Sequence, residues 1–193
     1  MKRIIVTALV LLLAAAALYA QMKVQDTFLG LRFGQNYERL YDLKKQKGNN
    51  TRQSLQNADE DWYRQHVQIH GVEFGGRRWD YVDFYFSPSG SFYMFRAYEA
   101  YNTQKDAEKR YDSLVKDLSM KYGGDRDIIM EEDGSMKGDR EKSVTYKDAG
   151  GRTCKLCVRY TESKSFDMYY YVMLYYYDQK LQNKADAEFV KEL

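Results

Sequence analysis

One proline, two cysteines and two histidines in 193 residues exclude several kinds of protein at once. A collagen-like or low-complexity chain needs far more proline, and a disulfide-stapled miniprotein needs more cysteine. A chain of this length buries about 70% of the surface its unfolded form exposes, so it needs neither a disulfide framework nor a metal to fold. Apolar residues make up 44% of it, charged residues 30% and aromatic residues 16%. That composition describes a folded globular protein and excludes disorder and a coiled coil.

A second long hydrophobic run is also lacking. The only one, Ile4 to Leu18, follows Lys2 and Arg3 and ends near the small residue Ala20, before the polar Gln21. It is shorter than the roughly 20 residues a membrane-spanning helix needs, and it reads as a secretory signal peptide over residues 1–20. An uncleaved N-terminal anchor is the competing reading. No cysteine stands at the cleavage point, so a lipoprotein anchor is not expected. The expected location is the periplasm or the outside of the cell.

Excess charge of one sign is missing too. Without residues 1–20 the chain has 28 basic against 28 acidic residues. Nucleic-acid binding draws on clustered cations that release counterions, so no nucleic-acid partner is expected.

What is present is a change of period along the chain. Tyr37, Leu40, Tyr41 and Leu43 have helical spacing over 36–47, with Gly48 as a stop, and the polar stretch 48–61 reads as a long loop. From His66 to Tyr101 apolar residues alternate, with Val82, Phe84 and Phe86 set against Tyr81, Asp83 and Tyr85. Gly75-Gly76 and Ser87-Pro88-Ser89-Gly90 supply turn residues, so three antiparallel strands are expected there. Thr103 and Asp106 mark the start of a second helix, whose stripe of Ala107, Tyr111, Leu114, Val115, Leu118 and Tyr122 is closed by Gly123-Gly124. Three more strands follow at 143–147, 153–161 and 166–177, after a charged segment, 125–139, that reads as solvated loop. Ala185, Phe189 and Val190 suggest a short terminal helix.

An offset of 75 residues superposes Gly48 on Gly123, Gly75-Gly76-Arg77 on Gly150-Gly151-Arg152 and Leu43 on Leu118. Two tandem α/β units, 22–101 and 102–182, within one α+β domain over 21–193 would produce this. Chance recurrence of glycine pairs in a hairpin-rich chain is the alternative.

Four segments carry a resemblance: Phe28-Leu29-Gly30-Leu31-Arg32-Phe33-Gly34, Gly71-Val72-Glu73-Phe74-Gly75-Gly76, Leu118 to Gly123 and Val172 to Asp178. In order and spacing the chain resembles a group of secreted Bacteroidetes proteins of unknown function. The resemblance implies an α+β fold of the β-lactamase-inhibitor-protein kind (BLIP-like), an antiparallel sheet with helices packed on one face. It implies no catalytic residues. The chain departs from the pattern in its last strand, which holds six tyrosines between Tyr169 and Tyr177.

Candidate chemistry is thin. Cys154 and Cys157 form a C-x-x-C that suggests a thiol oxidoreductase, yet they fall in a strand pattern, where residues three apart face opposite sides and no helix dipole activates a thiolate. Cys154 is expected to be buried and Cys157 to point outward. His66, His70 and Glu73 can be drawn as a metal site, but further ligands are missing, and two surface histidines beside a strand start are the simpler reading. No nucleophile elbow, phosphate-cradling loop or dinucleotide fingerprint supports a hydrolase or a cofactor enzyme. No cofactor or metal is expected, and the chain reads as a non-enzyme.

Tyrosine is the informative residue. On the last strand Phe166, Met168, Tyr170, Val172, Leu174 and Tyr176 form one side, read as core, and Asp167, Tyr169, Tyr171, Met173, Tyr175 and Tyr177 the other. With helices on the first side only, the second gathers Tyr81, Asp83, Tyr85, Lys155, Arg159, Tyr169, Tyr171 and Tyr175 into an exposed aromatic surface. Tyrosine offers stiff contact area with a hydroxyl still able to pair, so the expected function is binding, of a protein partner or alternatively of a carbohydrate. The expected site is Tyr81, Tyr85, Arg159, Tyr169, Tyr171 and Tyr175. Against this, tyrosine has high strand propensity, and these rings would also line a sheet face that binds nothing.

Overall fold

A computed structural model describes residues 24–40, 59–61, 66–123, 128–133, 141–162 and 168–192. The expected signal peptide, most of the expected 36–47 helix and most of the 48–61 loop lie outside the described residues. No helix among the described residues is long and apolar enough to cross a membrane.

The chain is an α+β protein. Its elements run β1 (Thr27–Phe28), β2 (Leu31–Arg32), β3 (Asp59–Asp61), β4 (His66–Phe74), β5 (Arg77–Phe86), β6 (Phe92–Tyr101), α1 (Gln104–Tyr122), β7 (Ile128–Asp133), β8 (Glu141–Asp148), β9 (Arg152–Glu162), β10 (Met168–Asp178) and α2 (Gln179–Glu192). Strands β3 to β10 form one antiparallel sheet in the order β3-β4-β5-β6-β10-β9-β8-β7, and β1 and β2 form a separate small hairpin. The order is a palindrome about the seam between β6 and β10. The strand starts 66 and 77 of β4 and β5 correspond to 141 and 152 of β8 and β9, the same offset the glycine pairs show.

The hairpin turns follow from their glycines. Gly75 and Gly76 both take positive φ, 62° and 69°, which the tight two-residue turn between β4 and β5 requires. Gly71, at φ 63°, lies where the alternation resets. Before it Ile69 and Val82 face the core; beyond it Val72 and Trp79 do, so the hairpin tip curls toward α1.

α1 begins where Thr103 Oγ1 accepts the Asp106 amide at 3.2 Å, and its buried stripe is Ala107, Tyr111, Leu114, Leu118 and Tyr122. It packs on β6, β9 and β10. Contacts to inward-facing side chains fix the covered face. Tyr122 meets Tyr146 at 5.5 Å between ring centroids, and Arg110 lies over Trp79 and pairs with the buried Glu99. The β1–β2 hairpin covers the same face, its Phe28 ring in contact with Phe74, Phe95 and Tyr176. On β10, Val172, Leu174 and Tyr176 are buried there as expected.

Two expectations need correction. Ile128–Asp133, expected as solvated loop, is β7, paired with β8; Asp59–Asp61, expected as loop, is β3, paired with β4. Both lie at the edges of the sheet, where backbone pairing is one-sided and charged side chains are tolerated, so no apolar alternation marks them. α2 runs 14 residues. It packs against β6 and β10, with Glu188 accepting from the Ser89 amide at 2.9 Å at the β5–β6 turn. Ala185 is its buried residue, and Val190 is exposed.

Candidate functional site

Cross-strand register assembles the uncovered face row by row. One row reads His66, Tyr85, Met94, Tyr177 and Thr153, and the next Gln68, Asp83, Arg96, Tyr175, Lys155 and Thr145. A third reads His70, Tyr81, Tyr98, Met173, Cys157 and Ser143, and a fourth Ala100, Tyr171, Arg159 and Glu141. Five of the six expected site residues, Tyr81, Tyr85, Arg159, Tyr171 and Tyr175, fall in these rows, and Tyr169, two residues before Tyr171 on β10 with its ring 6.5 Å from that of Tyr171, shares their side of the sheet. α1 and the β1–β2 hairpin pack on the other.

The face is less open than expected. Arg159 is exposed, but the five tyrosines are only half-exposed because their rings pack on one another and on their neighbours. Tyr81 stacks on Tyr98 across the β5–β6 pair at 4.8 Å and 14°, and His66 on Tyr85 at 5.0 Å and 18°. His70 meets Tyr81 edge-on, Tyr98 meets Tyr171 and Tyr171 meets Tyr169, so a line of rings crosses from β4 to β10.

Asp83, expected among the exposed charges, is 0% exposed. Its Oδ1 accepts from Gln68 Nε2 at 2.9 Å and lies 3.0 Å from His66 Nε2; its Oδ2 accepts from Arg96 Nε at 2.7 Å. Burial opposes its ionisation, but His66, Arg96 and Gln68 outweigh burial and hold the carboxyl below its usual range. Arg96 in turn lies over the Tyr85 and Tyr98 rings, 5.4 and 5.0 Å from their centroids. Burial pushes the Tyr98 hydroxyl up to about 12 and holds that of Tyr85 above its ordinary range. The surface-histidine reading fails for His66, which belongs to this sealed cluster. Alternation along β5 places Asp83 on the outer side but says nothing of how deeply neighbouring side chains bury it.

A shallow hollow of about 300 Å³ opens at the α2 end of the face. Lys155, Arg159, Glu141, Cys157, Tyr175 and Gln179 are among its lining residues. Glu141 holds the two cations together. Its Oε1 accepts from Lys155 Nζ at 2.7 Å, and its Oε2 from Arg159 Nε at 2.9 Å and Nη2 at 2.5 Å. Burial opposes its ionisation, and the bonds from Lys155 and Arg159 more than compensate, so its carboxyl lies below the ordinary range.

Arg96, Tyr98 and Glu141 were not among the expected site residues. The signal for the first two was available in β6, where Met94, Arg96 and Tyr98 alternate against Phe95, Ala97 and Glu99. Glu141 precedes the stretch that sequence alone marks as a strand, and only register places it opposite Arg159.

The cysteines lie on opposite sides of β9, as strand geometry requires, and both are free thiols. Cys154 pairs in register with Tyr176 on the covered face and Cys157 with Met173 on the other, but both are buried. Burial pushes each thiol up to about 12. Iodoacetamide at pH 8 should therefore alkylate the native protein at least about a hundredfold more slowly than the urea-unfolded chain. Equal rates would show that the thiols are not sealed. Among the described residues no cluster of three or more metal-ligating side chains occurs.

Together these features describe an antiparallel α+β sheet protein with a tyrosine-rich face not covered by α1, sealed at its centre by a buried ion cluster. Comparison with known proteins adds no identity: no protein-family model, no curated protein and no solved structure matches the chain.

Proposed function

We propose that this chain is an exported, non-enzymatic binding module, acting in the periplasm or outside the cell, that engages a protein partner through the tyrosine face. The observation that carries the reading is the gathering of Tyr81, Tyr85, Tyr169, Tyr171, Tyr175 and Arg159, from three strands, on the sheet side opposite α1. Rings already held by stacking lose little freedom on contact, which favours binding. The resemblance to proteins with a β-lactamase-inhibitor-like (BLIP-like) fold supports the same reading.

The ring geometry favours protein over carbohydrate. A sugar packs its C–H face on the flat of an aromatic ring. At Tyr81 and Tyr98, and at His66 and Tyr85, stacking across neighbouring strands turns the flats toward each other. Such rings offer edges and hydroxyls outward, which suits the mixed apolar and hydrogen-bonding surface of a protein.

The test replaces Tyr171 with photoreactive p-benzoylphenylalanine and, as a control, Met120, which is 71% exposed on α1. In the periplasm and medium of the natural host, position 171 should give a discrete cross-linked species that position 120 does not. Tyr81→Ala should cut its yield at least about fivefold without loss of folding. Identical products from both positions, or none from 171, would overturn the proposal. Binding on a glycan array that Tyr81→Ala abolishes would transfer it to carbohydrate.

A further inference from the structure

Resting on the reading of this face as the binding surface, we infer that the hollow beside α2 receives a carboxylate, the side chain of a glutamate or aspartate on the protein partner. Lys155 and Arg159 together carry two positive charges and meet one carboxylate, Glu141, so the trio is net positive. Arg96, a further cation on this face, is already engaged by Asp83. The Arg159 side chain is 48% exposed and that of Lys155 34%, whereas Glu141 is 15% exposed. All three line the hollow, the two cations being the more accessible members and the acid the least.

Glu141 also shows which anion geometry the pair accepts. Arg159 presents Nε and Nη2 to one of its oxygens and Lys155 reaches the other, so both are set for a planar two-oxygen group. Gln179, Gln182 and Tyr177 line the same hollow and can add uncharged donors. One surplus charge balances a single carboxylate; a dianionic phosphate would leave negative charge uncompensated.

The inference is tested on the mature chain by nuclear magnetic resonance at constant ionic strength. The probes are N-acetylglutamate N-methylamide, its glutamine counterpart, inorganic phosphate and glucuronate. Only the glutamate probe should give saturable shifts at Lys155 Nζ and Arg159 Nε. Arg159→Gln and Lys155→Met should each weaken its binding at least fivefold. Glu141→Gln, which keeps the side-chain shape and removes the resident competitor, should strengthen it at least threefold. Equal responses to the glutamate and glutamine probes, tighter binding of phosphate or glucuronate, or affinity unchanged in all three variants would overturn the inference. Failure of the cross-link at Tyr171 with retained glutamate binding would remove the face proposal and leave a carboxylate site. A cross-link without glutamate binding would remove this inference alone.

Discussion

Asp83→Ala should destabilise the fold by about 3–5 kcal/mol, the cost of removing one partner from a buried ion pair. The carboxylate is fully sealed, so its loss leaves Arg96 without its anion and takes from Gln68 one of its two acceptors, the Tyr98 hydroxyl remaining. Urea unfolding at pH 7 measures the effect, and a loss below about 1 kcal/mol would show that the cluster is not the centre of the face. The pH dependence has a definite sign. The folded state depresses the Asp83 pKa below 3.8, so its contribution is complete above the unfolded value and disappears as pH falls through the folded one. The gap between wild type and Asp83→Ala should therefore hold from neutral pH down to about pH 5 and narrow progressively below about pH 4. A gap that widens on acidification would contradict the assignment.

Phe28→Ala should cost a similar amount, about 3–5 kcal/mol, by a different route. Phe28 is fully buried, although it belongs to a hairpin of two-residue strands that could not persist alone. Its ring stacks on Phe95 at 4.5 Å and also touches Phe33, Phe74, Phe92 and Tyr176, so it ties the hairpin to β4, β6 and β10 at once. Truncation leaves a cavity bordered by five other rings, and stiff aromatic neighbours relax into such a space only in part. Thermal and urea unfolding of Phe28→Ala against Arg32→Ala, an exposed change in the same hairpin, separates the lost core contact from a general effect on the segment. Equal losses would mean that the hairpin merely rests on the sheet.

The six long strands and α1 were legible in the sequence because burial on one side imposes a period, and Val82, Phe84 and Phe86 or Ala107, Tyr111 and Leu114 display it. β3 and β7 were not, since a strand at a sheet edge pairs on one side only and its sequence need not alternate. The composition of the site face was legible too: register brings Tyr81, Tyr85, Arg159, Tyr169, Tyr171 and Tyr175 to one side. Its depth was not. Whether Asp83 is wet or sealed depends on Arg96, His66 and Gln68, which arrive from neighbouring strands, and a period-two pattern in one strand carries no information about them.

The mirrored strand order makes the two halves mutually dependent. β6 and β10, the last strands of each half, meet only at the midline, where Arg96 lies opposite Tyr175 and Tyr98 opposite Met173. Those partners are far apart along the chain, so the seam closes only after a long loop entropy has been overcome, and it belongs among the slower contacts to form. Until then each half presents a bare, aromatic strand edge, a surface prone to pair with the same strand of another molecule. Symmetry that supplies a broad contact area in the finished protein is thus also the chief hazard of its assembly.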